Sequence, residues 1–265
     1  MCRHLAYLGL PVSPAEVLVE PPYGLHRQSW SPRLQRYGTV NADGFGLGWY
    51  AEGDPLPARY RRAGPIWMDE NFADLARVVR TRALLAAVRS ATVGTSAEQT
   101  AAAPYTGDGW LFSHNGLLAG WPHGLDELAA LLDPAELLTL EARCDSALVW
   151  ALLRRRLRTG LAVDQALAAT VAEVVRHTEA RLNLLVTDGR VIAATAWGDT
   201  LFHRLEPGRS VLVASEPGDD GPGWIPVPDR SVLVATPEAV AVHPLDAAVE
   251  ALRDPSDSGL RWELQ

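Results

Sequence analysis

The chain has 265 residues, 48% of them hydrophobic and 21% charged, which is enough apolar material for one large core and too much for a disordered polymer. Its net charge of −8 opposes binding to nucleic acid or to an anionic membrane surface. All 24 residues counted as Lys plus Arg are Arg, which excludes lysine-dependent chemistry: Schiff bases, pyridoxal-phosphate attachment and a phosphate-binding P-loop.

In chain order, Cys2-Arg3-His4-Leu5-Ala6-Tyr7-Leu8-Gly9 alternates partially and closes on Gly-x-Pro, predicting a strand that begins almost at the first residue and puts Cys2 at its tip. The Pro- and Gly-containing segments 11–24 and 216–228 read as surface loops and not as linkers, so 1–265 is expected to form a single domain. Strands are predicted over 44–50, 84–89 and 110–115, and apolar residues at helical spacing predict helices over 70–81, 125–132, 145–158 and 163–179. Beyond these, 182–187, 191–196, 210–214, 231–236 and 239–243 are short β-branched runs separated by turn signals such as Asp188-Gly189 and Thr236-Pro237, which read as hairpins. From about Asp246 a short helix and a polar end are expected. Strands, long helices and then hairpins predict an α+β fold with antiparallel sheet packed on helices. There is no apolar window long enough to cross a membrane and no signal-like leader, and two cysteines are too few for a disulfide framework or a zinc cluster. A cytoplasmic location is expected.

Chemistry concentrates at a few positions. Removal of Met1 from a chain that continues with Cys2 puts a thiol and a free α-amine on one residue. With reference pKa values of about 7.7–8.0 for the amine and about 8.5 for the thiol, the amine can take the thiol proton near neutral pH. Phe112-Ser113-His114-Asn115-Gly116 ends in Asn-Gly, which is either a turn or a pair of donors, the Asn115 amide and the Gly116 N–H, aimed at one developing oxyanion. Arg89 closes the strand Ala87-Val88 and suits a carboxylate, unless it is a plain surface residue. Asp145, in Arg143-Cys144-Asp145-Ser146, is either a helix N-cap or a carboxylate that recognises an ammonium group. The run Arg154, Arg155, Arg156 and Arg158 reads as a solvated helix face, and Cys144 as a buried small residue. His114 reads as a structural hydrogen-bonder. Gly44-Phe45-Gly46-Leu47-Gly48 has the wrong spacing for a dinucleotide, and Cys2-x-His4 lacks further metal ligands.

In this order the motifs resemble the class II glutamine amidotransferase domain, a branch of the N-terminal-nucleophile hydrolases. The likeness runs through Cys2, Asn41-Ala42-Asp43-Gly44-Phe45-Gly46, the Arg89 segment, His114-Asn115-Gly116 and Asp145-Ser146. It implies a four-layer αββα sandwich of two antiparallel sheets and cleavage of a γ-glutamyl amide, with Cys2 as nucleophile and Asn115 and Gly116 as the oxyanion hole. It also implies Arg89 and Thr92 on the γ-glutamyl carboxylate, Asp145 on its ammonium group, and the 41–46 loop beside the site. Ser90 and Val93 depart from the aromatic and the His that many such domains carry, which bears on ammonia delivery and not on amide cleavage. Further likeness at Arg27-Gln28-Ser29-Trp30, 39–50, 194–199 and Ala214-Ser215-Glu216-Pro217 implies a hydrolase within this family whose leaving group carries a trimethylated, permanent cation. Trp30, Trp49 and Trp67 are the candidate aromatic faces for that cation. The expected partner is a small-molecule γ-glutamyl substrate, with no cofactor, metal, nucleic acid or membrane. The alternative is a glutaminase subunit acting with a separate synthase.

Overall fold

The computed structural model describes residues 2–245; the short helix and polar end expected from residue 246 lie outside the described residues. The first half of the chain supplies β1 (Arg3–Val12), α1 (Pro14–Leu18), α2 (Leu25–Gln28), β2 (Phe45–Trp49), β3 (Ala58–Arg62), α3 (Phe72–Val78), β4 (Thr81–Val88), β5 (Tyr105–Gly107) and β6 (Trp110–Leu118). The second half supplies α4 (Asp126–Ala129), α5 (Pro134–Leu138), α6 (Asp145–Arg158), α7 (Val163–His177), β7 (Ala180–Thr187), β8 (Ile192–Ala196), β9 (Phe202–Glu206), β10 (Ser210–Ala214), β11 (Ile225–Pro226), β12 (Ser231–Ala235) and β13 (Val240–Pro244).

The strands form two antiparallel sheets, one in the order β11-β9-β10-β1-β4-β2-β3 and the other β13-β12-β8-β7-β6-β5. Because successive side chains on a strand face opposite ways, each sheet presents two faces. Ala6, Leu8, Leu85, Val211 and Val213 from the first sheet meet Leu111, Leu185, Ala194 and Leu233 from the second in the layer between them. The other face of the first sheet buries Leu5, Tyr7, Phe45, Leu47 and Leu84 against α1, α2 and α3. The other face of the second buries Phe112, Leu182, Leu184 and Val186 against α6 and α7. At about 1.5–3 kcal/mol for each large aliphatic or aromatic side chain removed from water, three such layers supply the drive that clamps the sheets together. The predicted αββα sandwich of two antiparallel sheets is what forms.

Helix α6 and the hairpins β7–β8 and β12–β13 lie where periodicity and turn residues put them. The helix predicted over 70–81 is shorter, because Val79 turns extended (φ −61°, ψ 136°) and the chain enters β4 two residues later. That predicted over 125–132 stops at Ala129, although Leu128 and Leu132 are both buried as the periodicity required. Segment 11–24 is not all loop: Ser13 and Glu16 form a reciprocal capping box with Pro14 at the first turn, which starts α1. Four strands were not anticipated. β3 is an arginine-rich edge, β5 has three residues, β9 carries His203 and Arg204, and the two-residue β11 pairs with β9 inside the segment 216–228 expected to be loop. Charged edge strands discourage sheet-to-sheet association, and their composition hides them from a pattern search.

Candidate active site

The layer between the sheets is apolar through its middle and polar at one end. On β1 the inward series Leu8, Ala6 gives way to His4 and Cys2; on β6, Leu111 gives way to Ser113 and Asn115; on β7, Leu185 gives way to Asn183 and Arg181. Past the end of β10, Ser215 continues the face of Val211 and Val213. The backbone N–H of Cys2 donates to Asn115 Oδ1 at 3.1 Å, joining residues 113 apart in sequence. That bond fixes the Asn115 amide, so its Nδ2 faces the same space with, among the described residues, a single long 3.5 Å contact to Ser215 Oγ. Asn115 is fully buried, whereas Cys2 is half-buried and open to solvent.

Strand register shows where the Gly116 N–H points. Gly116 stands opposite Leu182, whose N–H bonds away from β6 to the Trp197 carbonyl at 2.9 Å. The pair is therefore one of the non-hydrogen-bonded positions of the ladder, and the Gly116 N–H projects from the other edge of β6. On that same edge the Leu118 N–H donates to Asp145 Oδ2 at 3.3 Å. β5 covers the edge only as far as Phe112, leaving it open beside Gly116. A side chain at Gly116 would collide with the Arg181 carbonyl and His114 Nε2, so only glycine fits.

Asp145 is not the cap of α6. Cys144 occupies that position, and Asp145 is the first helical residue, with Oδ1 taking the Ser146 N–H at 2.8 Å and Oδ2 turned to β6. His114 behaves as a structural hydrogen-bonder, its ring nitrogens tied to Ser146 Oγ (3.1 Å) and the Arg181 carbonyl (2.9 Å). Cys144 is buried against the Tyr105 hydroxyl.

Arg89 continues β4 beside Gly44 and is nearly buried. Its Nη2 donates to Thr95 Oγ1 and to the Ser96 carbonyl, both at 2.8 Å, and Nη1 reaches the Asp43 carbonyl at 3.3 Å. Thr92 opens the turn that delivers Thr95, its carbonyl accepting from Thr95 Oγ1 at 2.6 Å. Ser96 in turn bonds the Arg143 carbonyl, so the Arg89 and Asp145 ends are stitched together by one loop. The 41–46 loop lies beside them: Asn41 is buried under bonds to Gln28 and Gln35, and the Asp43 carboxylate takes the Ala91 N–H at 2.8 Å.

Several residues here were not singled out in the sequence. Arg3 is fully buried, with Nε on the Cys2 carbonyl at 2.9 Å and Nη1 on Thr200 Oγ1 at 3.4 Å. Burial pulls its pKa down, and the carboxylates of Glu216 and Asp199 oppose that. Asn183 holds the 197–200 turn through the Trp197 N–H and the Asp199 and Thr200 carbonyls. A polar residue inside an otherwise apolar strand was the available signal for Asn183; nothing local marks Arg3. The three tryptophans are divided between two places. Trp49 packs on the helical face of the first sheet, and Trp30 and Trp67 meet edge to face at 5.7 Å.

His4, bonded to Ser113 Oγ at 3.1 Å, is held neutral, since burial first and then the neighbouring Arg3 and His114 push its pKa down to about 3. Between that value and the unfolded value of about 6.5 the unfolded chain binds a proton that the folded chain does not, so stability rises with pH across this window. Denaturant titrations are expected to show wild type losing about 1.4 kcal/mol more per pH unit than His4→Asn between pH 6 and 4. Equal slopes would mean that His4 titrates normally.

Among the described residues no three His, Cys, Asp or Glu side chains are grouped to hold a metal ion, and no helix is long and apolar enough to cross a membrane. The model of the class-II glutamine amidotransferases matches residues 24–216. The chain is 43% identical over 248 residues to the gamma-glutamyl-hercynylcysteine sulfoxide hydrolase of Mycolicibacterium smegmatis, covering 92% of this chain and all of that one. It is 40% identical over 249 residues to the protein of the same name from Mycobacterium tuberculosis, covering 94% and 98%. In fold it resembles a glutamine aminotransferase class-II domain protein from Silicibacter pomeroyi, with a TM-score of 0.64 at 21% identity over 92% of this chain and 99% of that one.

Proposed function

This chain belongs to the class-II glutamine amidotransferase family, and from that premise we propose that it hydrolyses the γ-glutamyl amide bond of gamma-glutamyl-hercynylcysteine sulfoxide, with Cys2 as nucleophile. The observation that carries the chemistry is the bond from the Cys2 N–H to Asn115 Oδ1, which puts the nitrogen destined to be the α-amine, the thiol and an amide donor at one point. The choice of substrate rests on the 43% and 40% identities to hydrolases of that name.

Once Met1 is removed, the Cys2 amine takes the thiol proton and the thiolate attacks the γ-carbonyl. Charge developing on the carbonyl oxygen is met by Asn115 Nδ2 from the inward face of β6 and by the Gly116 N–H from its edge. The Cys2 ammonium then protonates the leaving amine, and water cleaves the γ-glutamyl thioester while the amine, a base again, receives its proton. At the other end of the substrate Arg89 holds the α-carboxylate, which takes over the acceptor positions now filled by Thr95 Oγ1 and the Ser96 carbonyl. Thr92 orders that loop, and Asp145 faces the α-ammonium group.

The test is glutamate release by purified protein whose intact mass confirms loss of Met1, with gamma-glutamyl-hercynylcysteine sulfoxide and glutamine supplied separately. The kcat/KM for the first is expected to exceed that for glutamine by at least roughly 10²-fold, because an active site that holds the larger leaving group gains binding energy that ammonia cannot provide. Equal or better use of glutamine would replace this reading by that of a glutaminase.

A further inference from the structure

The path of the leaving group can be followed from β6. Arg89 and Asp145 lie on the side of the open β6 edge, and Asn115 marks the scissile carbonyl. A substrate anchored there by its amino-acid end extends past Cys2 in the opposite direction, over β7. On β7, Asn183 stands directly opposite Asn115, and Arg181, two residues away on the same inward face, is its diagonal neighbour. Such neighbours are about 7–8 Å apart, within reach of a long side chain.

Arg181 is built into place. Its stem rests on Gly198, where a Cβ would come within 2.9 Å of Arg181 Cγ and where φ is +89°. One N–H of Nη1 binds Asp199 Oδ2 at 3.0 Å, and among the described residues that is the hydrogen bond the guanidinium makes. Tyr37, 54% exposed, lays its ring on the guanidinium with 4.2 Å from Cζ to the ring centroid. The surroundings are cationic: Arg3, Arg36 and Arg181 all act on Asp199, against the two carboxylates of Asp199 and Glu216, and one oxygen of Glu216 is occupied by the Arg33 and Leu34 N–H groups. An ammonia leaving group has no use for such a place.

We propose that Arg181, backed by Tyr37, binds the α-carboxylate of the leaving amine, so that the enzyme selects γ-glutamyl amides formed with α-amino acids. The inference rests on the reading of Cys2, Asn115 and the γ-glutamyl pocket given above, and it names the contact through which a γ-glutamyl amino acid would be preferred to glutamine. In a hercynylcysteine sulfoxide leaving group, the cysteine carboxylate sits one carbon from the scissile nitrogen, so on this path it falls on the β7 side, where Arg181 is the diagonal neighbour of Asn115.

The test compares γ-glutamylalanine with γ-glutamylethylamide, which differ only in that carboxylate. Wild type is expected to favour γ-glutamylalanine in kcat/KM, and Arg181→Gln to lower this preference roughly 10- to 100-fold through loss of a charge-assisted hydrogen bond, mainly in KM. Arg181→Lys is expected to restore part of it, since it keeps the charge but not the fork. Tyr37→Ala, an exposed change that leaves the core intact, is expected to lower the same ratio a few-fold and guards against misfolding of the Arg181 variants. Wild type cleaving the two compounds equally, or Arg181→Gln slowing both by the same factor, overturns the proposal. If gamma-glutamyl-hercynylcysteine sulfoxide is no better than γ-glutamylalanine but the Arg181-dependent ratio persists, the substrate assignment falls and the subsite stands. No cleavage of any γ-glutamyl amide overturns both.

Discussion

Cys2→Ala protein, with thermal unfolding matching wild type, is expected to release glutamate roughly 10⁴- to 10⁶-fold more slowly, the loss seen when a nucleophile is removed from a cooperative catalytic set. The size follows from what Cys2 combines. In the proposed mechanism nucleophile, base and leaving-group acid all belong to one residue, so no neighbour can take over a share of the chemistry. His4 and His114 are the nearby imidazoles, and both are engaged: His4 with Ser113, and His114 with Ser146 and the Arg181 carbonyl. Protein that retains Met1 is expected to lose turnover to a similar extent, because its Cys2 nitrogen is an amide whose lone pair is delocalised into the carbonyl and does not accept a proton. Substitution and retention affecting turnover alike would place the base on the α-amine. Full activity with Met1 retained would move the base elsewhere and sink this mechanism, even if Cys2 proved to be the nucleophile.

The parts of this fold that could be read in the sequence are those set by local periodicity. The inward stripe of β1, the length of α6 and the Asp188-Gly189 hairpin each follow from residues within one element. What could not be read is set by packing between distant elements. Asp145 occupies a position where a cap is common, yet its carboxylate turns to the Leu118 N–H because β6 runs past the start of α6 with an unpaired edge. Arg3 looks like a solvent residue flanking a strand. It is buried because the 197–200 turn crosses from one sheet to the other and brings Thr200 and Asp199 against the start of β1. Trp30, Trp49 and Trp67 stand out by their place in the loop-rich N-terminal part of the sequence, and that place does not say which face of a sheet an aromatic lies on. Tyr37 carries no motif, and its relation to Arg181 exists only once loop 31–40 is laid across the polar end of the sandwich.

Asn115→Asp is expected to lower kcat by roughly 10²–10³ with little change in KM, as removal of one oxyanion donor does elsewhere. The substitution is nearly isosteric and keeps an oxygen for the Cys2 nitrogen, which sits 3.1 Å from Oδ1. It removes the Nδ2 donor and sets a carboxylate beside an oxygen that becomes negative in the transition state. The effect is therefore confined to the step in which charge develops, and the ground-state complex, which the proposed mechanism holds through Arg89 and Asp145, is spared. Asn115→Ala loses the acceptor as well and frees the Cys2 amine to rotate, so it should fall at least as far. A KM increase equal to the loss in kcat/KM in the Asp variant would show that Asn115 binds substrate and does not stabilise the oxyanion. The Gly116 N–H would then be left to meet that charge alone from the edge of β6, which is too few donors for an amide hydrolase.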